Sequence, residues 1–249
     1  MMSESIKCEV YNKAPIVEAV MDINVQFAEG VDISKLNALA DKLEGYPTKE
    51  NIFIARAQVN INHALSQTKH SSDQLGIRLI SEDKKYVIQI KKTGFTFSRV
   101  NGYESWEIFQ SKAKDLWELY FNNLNPIKIT RIGLRYINRI NIPALNFNLE
   151  EYFETYPKVF SGNNGNLSGF FLQLQVPQPD DNIAILNQTI TSPLEPGYTS
   201  VLFDIDVLDR KHLDANNQEE LWNRFQLLRM QKNKLFDDSI TNKTKELFS

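Results

Sequence analysis

Polar and apolar residues alternate along most of this chain, and four stretches of helical period interrupt the alternation. Residues 16–27, IVEAVMDINVQF, read as a strand because Val17, Ala19, Met21, Ile23, Val25 and Phe27 recur at period two on one face. Residues 33–44 change to a helical period. There Ile33, Leu36, Leu39, Ala40 and Leu43 form the apolar stripe, with Asp32 or Ser34 as the cap. Alternation returns at 52–63, which predicts Phe53, Ala55, Ala57, Val59 and Ile61 inward and Arg56, Gln58, Asn60 and Asn62 outward. Strands are predicted near 76–82, 85–92 and 94–100, the first pair joined at Glu82-Asp83-Lys84. A helix over 104–123 closes this half with Trp106, Phe109, Ala113, Leu116, Trp117, Tyr120 and Phe121 on one stripe.

The order of elements then starts again. A strand over 128–142 precedes a short helix near 148–156, strands near 168–177, 182–192 and 198–208, and a C-terminal helix over 217–236. Element order alone suggests a pseudo-repeat with halves 13–124 and 126–249, since residue identity between them is negligible. No linker rich in Pro, Gly or Ser separates the halves. The expected fold is therefore α+β: a single compact unit over 1–249, with a largely antiparallel sheet built from two βαβββα-like halves and helices packed on one face.

The stretch from Thr130 to Asn141, TRIGLRYINRIN, carries the sharpest polarity. Ile132, Leu134, Tyr136, Ile140 and Ile142 share one side, interrupted by Asn138, while Arg131, Arg135 and Arg139 share the other with Gly133 and Ile137. Three guanidinium groups on one strand face must meet carboxylates, a bound anion or water. Candidate carboxylates stand on other polar strand faces: Glu18 and Asp22 beside Asn24 and Gln26, and Asp204 and Asp206 within VLFDIDV. Gln173 and Gln175 alternate in the same way. Two readings stay open. Cross-strand pairs could form an exposed ladder, each worth only ~0.2–1 kcal/mol. A partly covered Arg cluster would instead offer bidentate donors to a carboxylate, a phosphate or an acidic partner segment.

Composition narrows the setting. At 249 residues, with a net charge of −3, the chain gives no electrostatic reason to expect nucleic acid or an anionic membrane as partner. The lone Cys8 excludes a disulfide framework and a Cys-based metal site, and the start lacks the apolar run of a signal peptide. A reduced, cytoplasmic location is the expectation, with no membrane association. The three histidines, His63, His70 and His212, lack metal-ligand spacing, so no metal is expected. No nucleophile elbow is present, and the Gly-Asn run at 162–166 precedes a strand rather than the Lys-bearing helix of a phosphate loop. Neither a cofactor nor a catalytic residue is assigned.

Three segments carry a resemblance: Lys13–Phe27 (KAPIVEAVMDINVQF), Arg131–Ile140 (RIGLRYINRI) and Lys232–Phe248 (KNKLFDDSITNKTKELF). Together they resemble a sporadically distributed family of uncharacterised bacterial proteins of about this length. The last is the most distinctive, with Ser239-Ile240-Thr241 opening a final short helix. The resemblance implies a soluble bacterial α+β protein and no particular activity.

The functional expectation is a non-catalytic binding protein that recognises a protein partner or small anionic ligand through the polar sheet face. Its candidate residues are Arg131, Arg135, Arg139, Glu18, Asp22, Arg56, Asp204 and Asp206. The alternative is an enzyme whose arginines hold a phosphate- or carboxylate-bearing substrate, with Glu18, Asp22, Asp204 or Asp206 as acid/base. A self-assembling subunit, a homo-oligomer without other ligand, is the third reading.

Overall fold

The computed structural model describes residues 11–62, 65–158 and 167–249, and their side chains except over 55–72. The first half contains β1 (Ile16–Gln26), α1 (Ile33–Lys42), β2 (Thr48–Asn62), β3 (Leu65–Ile80), β4 (Tyr86–Lys91), β5 (Gly94–Val100) and α2 (Trp106–Leu124). The second contains β6 (Lys128–Ile142), β7 (Phe171–Pro177), β8 (Ile183–Thr191), β9 (Thr199–Asp209), β10 (Leu213–Asp214), α3 (Gln218–Ser239) and α4 (Asn242–Glu246). Among the described residues ten strands join one sheet in the order β2-β3-β4-β5-β1-β6-β9-β8-β7, with β10 added against β6. Every pairing is antiparallel. The α+β class and the antiparallel sheet agree with the sequence pattern.

The core lies between the apolar sheet face and the helices. Ala19, Met21 and Ile23 of β1 and Ile132, Leu134 and Tyr136 of β6 are buried in one cluster with Leu36 and Leu39 of α1, Phe109, Trp117 and Tyr120 of α2, and Leu221, Phe225 and Leu228 of α3. Helix α1 begins where Asp32, rather than Ser34, caps it: the Asp32 carboxylate accepts the Ser34 N–H at 2.7 Å. Ser105 caps α2 by accepting the Ile108 N–H. The Trp117 indole N–H donates to Gln218 Oε1 at 2.8 Å and ties the middle of α2 to the start of α3. Tyr120 donates to the Lys91 carbonyl at 2.8 Å and anchors α2 to the end of β4.

Three expectations are corrected. Residues 148–156 form no α-helix: a 3-10 turn spans Leu149–Glu151, and Phe153 then bridges Ile240 in antiparallel fashion. Glu150, Glu151 and Glu154 gave the segment a helical composition, but burial of Tyr152 and Phe153 against the C-terminal segment decides its path. The strand predicted over 76–82 is the end of a much longer one, because β3 runs from Leu65 and pairs with β2 along its whole length. On β3, only Gly76–Ile80 pair with β4, so the rest of the β2–β3 hairpin extends beyond the neighbouring strand. Hence the inward set predicted for 52–63 fails at Phe53, which is exposed, while Ala55, Ala57, Val59 and Ile61 lie outside the described side chains. At Phe53 the alternation belongs to a two-stranded ribbon and marks no face on the core.

Within each half the first strand sits beside the last long strand: β1 pairs β5, and β6 pairs β9. The central seam is the β1–β6 pair. It places the polar faces of β5, β1, β6 and β9 side by side.

Candidate functional site

The sheet face opposite the helices carries the arginines. Its composition follows from register. On β1, Glu18, Val20 and Asp22 stand opposite Ile137, Arg135 and Gly133 of β6. On β9, Asp204, Asp206 and Leu208 stand opposite the same three β6 residues. From β5, Thr96 and Ser98 lie against Asp22 and Val20, and β4 adds Gln89 beside Thr96 and Lys91 beside Gly94.

Both paired arginines reach diagonally rather than straight across. Arg131 donates through Nη2 to Asp22 Oδ2, although Asn24 is its direct neighbour on β1. Asp22 also accepts from the Thr96 hydroxyl at 2.6 Å and from Lys91 Nζ at 3.2 Å. Burial opposes ionisation of Asp22, but Lys91, the Thr96 hydroxyl and Arg131 outweigh it and hold its carboxyl below the usual range. Arg135 forms a two-pronged contact with Asp204, Nε to Oδ1 and Nη2 to Oδ2, each 2.8 Å. Asn187 of β8 donates to Asp204 Oδ2 at 3.0 Å and accepts from Gln173 of β7 at 2.8 Å. The polar chain thus extends across β6, β9, β8 and β7.

Asp206 is left out of this network. It faces Arg135 in register, yet among the described residues its carboxylate accepts no hydrogen bond. Burial pushes its carboxyl up to about 6; Arg135 pulls the other way, and Asp204 adds to the rise. Arg131 has a matching deficit, for its Nε is buried without an acceptor. Between the two lies a cavity of about 310 Å³ lined by Glu18, Asp22, Lys91, Arg131, Arg135 and Asp206 among others. Gly133 forms its floor: a Cβ there would stand 3.0 Å from Leu208 Cδ2 and 3.6 Å from Asp206 Oδ1.

Of the eight residues singled out in the sequence, Glu18, Asp22, Arg131, Arg135 and Asp206 line this cavity, and Asp204 supports it through Arg135. Arg139 lies further along β6, opposite Leu202, and makes no ion pair among the described residues. Arg56 is not brought here. Its backbone pairs with Ser71 in the hairpin, three strands separate β2 from β1, and its side chain lies outside what is described. Cys8, His63 and the run at 162–166 also lie outside the described residues.

Sequence reasoning missed Lys91, Thr96 and Gly133. The first two were within reach of it: a two-residue connection sets Lys91 against Gly94, which puts Gln89 against Thr96 on the same face. Gly133 read as a gap between arginines, and only its place between Asp22 and Leu208 makes it a floor. Among the described residues no group of three His, Cys, Asp or Glu stands close enough to hold a metal ion. Likewise no described helix is long and apolar enough to cross a membrane.

No protein-family model matches the chain, and a search of curated proteins finds no match.

Proposed function

We propose that the protein is a non-catalytic binding protein whose polar sheet face recognises a partner at the cavity between Arg131 and Asp206. One observation carries the reading: a buried donor without an acceptor, Arg131 Nε, borders the same cavity as a carboxylate without a donor, Asp206. Leaving the buried Arg131 donor unmet costs about 1–3 kcal/mol, and a partner bringing an acceptor to it and a donor to the partly buried Asp206 carboxylate would remove that cost. A peptide amide or an Asn or Gln side chain does this. A simple anion suits the site less well, because Arg131 and Arg135 are already engaged by Asp22 and Asp204. This favours the protein-partner form of the reading over the anionic-ligand form.

The finer architecture of two βαβββα-like halves belongs to the same proposal. Its support is that each half places its first strand beside its last long one, so that the site forms on the seam where the halves meet.

The enzyme reading has its own support. A carboxyl held at about 6 beside Arg135 is suited to act as a general acid or base near neutral pH.

Native mass spectrometry of the full chain, purified gently from its host, tests these readings against a Gly133→Ala variant. The substitution alters no charge and puts a methyl group on the cavity floor, where the flexible end of Leu208 can give way. A stoichiometric protein partner on the wild type that is lost from a folded Gly133→Ala supports the binding reading. A small adduct of fixed mass that turns over with an inflection near pH 6 replaces it with the enzyme. A homo-oligomer with nothing else bound, or a partner retained equally by Gly133→Ala and Arg135→Gln, overturns it.

A further inference from the structure

A second cavity, of about 470 Å³, lies on the helix-covered side of the sheet. Its walls are the segment leading into β1, the turn before α2 with the first residues of that helix, Tyr136 and Asn138 of β6, and α3 from Arg229 to Asp237. That volume falls in the usual range of small-ligand sites.

Two buried side chains of the lining each keep one unmet polar atom. Trp106, the first residue of α2, is 3% exposed, and its indole N–H finds no acceptor. Asn138 is also 3% exposed. Its amide nitrogen donates to the Phe203 carbonyl at 3.0 Å and to the Tyr136 carbonyl at 3.4 Å. Those bonds fix the orientation of the amide and leave its Oδ1 without a donor among the described residues. Buried polar atoms of this kind call for partners that the fold itself does not supply. One is a donor and the other an acceptor, so the complementary group carries an acceptor and a donor together.

The charged side chains around them are engaged within the chain. Glu104 is bound to the buried Arg99 at 3.0 Å, and Arg229 faces Glu107 at 3.8 Å and the Trp106 ring at 5.3 Å. Asp237 accepts from the Tyr11 hydroxyl at 2.9 Å, and the Lys232 ammonium lies 4.0 Å from the centre of the Tyr136 ring. Lys232 and Asp237 each take part in a further interaction as well. Lys13 is exposed to solvent, where its charge stays hydrated. A ligand charge brought into the cleft would therefore lose its hydration without gaining a buried counter-charge. An uncharged ligand avoids that loss.

We propose that this cleft binds a small uncharged carboxamide, its carbonyl oxygen taking the Trp106 indole N–H and its amide N–H donating to Asn138 Oδ1. The apolar body of the ligand packs among Ile16, Tyr103, Tyr136 and Phe236 of the lining. This assignment is independent of the polar sheet face, from which the whole sheet separates it.

The full-length protein labelled with nitrogen-15 offers a direct test, since its three tryptophans give three indole N–H resonances, with Trp106→Phe identifying the relevant one. The Trp117 indole, held by Gln218 Oε1, is the internal control. Benzamide is the probe. Acetophenone keeps its shape and carbonyl but has no N–H, and benzoate puts a charge in place of the amide. The expected result is saturable displacement of the Trp106 resonance by benzamide below about 10 mM, an affinity within reach of so small a probe. Acetophenone and benzoate should each bind about tenfold more weakly, as should benzamide to Trp106→Phe, read there by saturation transfer to the ligand. The proposal is overturned if benzamide does not move that resonance saturably. It is equally overturned if acetophenone or benzoate binds as tightly as benzamide, or if folded Trp106→Phe keeps the wild-type affinity.

Discussion

Arg135 grips Asp204 with two hydrogen bonds of 2.8 Å although Asp206, not Asp204, stands opposite it in the sheet. The two aspartates are alternate residues on one face of one strand, yet they end in opposite states. Asp204 is 10% exposed at its side chain and holds both Arg135 and Asn187; among the described residues the Asp206 carboxylate accepts no hydrogen bond. Register alone would have paired Arg135 with Asp206. The length of the guanidinium arm permits the diagonal, and Asp204 also takes a donor from Asn187, which faces it on β8.

The two aspartates should therefore respond in opposite directions to neutralisation. Asp204→Ala leaves Arg135 and Asn187 without their acceptor and should cost roughly 1–2 kcal/mol, the half-exposed guanidinium limiting the loss. Asp206→Asn removes a carboxylate that the fold disfavours and should raise stability at pH 7 by about 1 kcal/mol. Urea midpoints of the two variants check this. Equal destabilisation by both would contradict the geometry.

The pH dependence follows from the same pair of sites. The folded carboxyl of Asp206 sits near 6, above its ordinary 3.8, so the folded state binds a proton more tightly than the unfolded chain. Its stabilising increment is complete below about 3.8 and is lost as pH rises through about 6. Asp22 behaves in the reverse sense: its carboxyl is held low, so its contribution is present above about 3.8 and is lost as pH falls through the lowered value. From these two groups stability should peak near pH 4, fall as pH rises from there to about 6 and level off above it, and fall again on the acid side. Denaturation midpoints across this range should show Asp206→Asn flattening the upper limb and leaving the acid limb in place.

Much of this arrangement was legible in the chain, and the boundary of legibility has a physical cause. Alternation identified β1, β6 and β9 and the polar sides of each, because a face on a core must be apolar at every second residue. Strand order was not legible, since pairing is decided by contacts far apart in sequence. Thus Asp22, Arg131 and Asp206 were named, while their meeting around Gly133 was not. The β2–β3 hairpin misled for a different reason. Where the ribbon extends beyond β4 it keeps the alternation of a strand, so Phe53 reads as buried and is exposed. The 3-10 turn at Leu149–Glu151 was hidden by three glutamates that favour a helix locally.

Glycine at position 94 is required for close backbone approach and for its positive φ. A Cβ added there would lie 2.2 Å from the Ile23 carbonyl oxygen, which is backbone of the central strand β1 and cannot turn aside. Its φ of +154° is moreover one that other residues rarely adopt. Gly94→Ala should cost roughly 3 kcal/mol and disturb the Asn24 pairing. Thermal unfolding should show a fall in Tm of several degrees, whereas Gly169→Ala, where nothing lies within 4 Å, should leave it nearly unchanged.

The Ser239-Ile240-Thr241 signature near the C-terminus has a structural explanation. Thr241 caps α4, accepting the Thr244 N–H at 3.4 Å, and its hydroxyl donates to the Glu151 carbonyl at 2.6 Å. Thr244 is fully buried and donates to the Tyr152 carbonyl at 2.5 Å, while Ile240 bridges Phe153. These contacts staple the C-terminal segment to the turn that replaces the predicted helix. Thr244→Val keeps the volume but removes one of the two donors to the Tyr152 carbonyl, which retains the Thr241 N–H at 3.1 Å, and should cost about 1 kcal/mol. Thr244→Ser keeps the hydroxyl and should recover most of that loss. Hydrogen exchange should show protection falling locally over residues 149–156 and 240–248 in Thr244→Val, with β1, β6 and β9 unaffected. Uniform loss of protection across the central strands would mean that the segment is part of the main cooperative unit and not a staple on its surface.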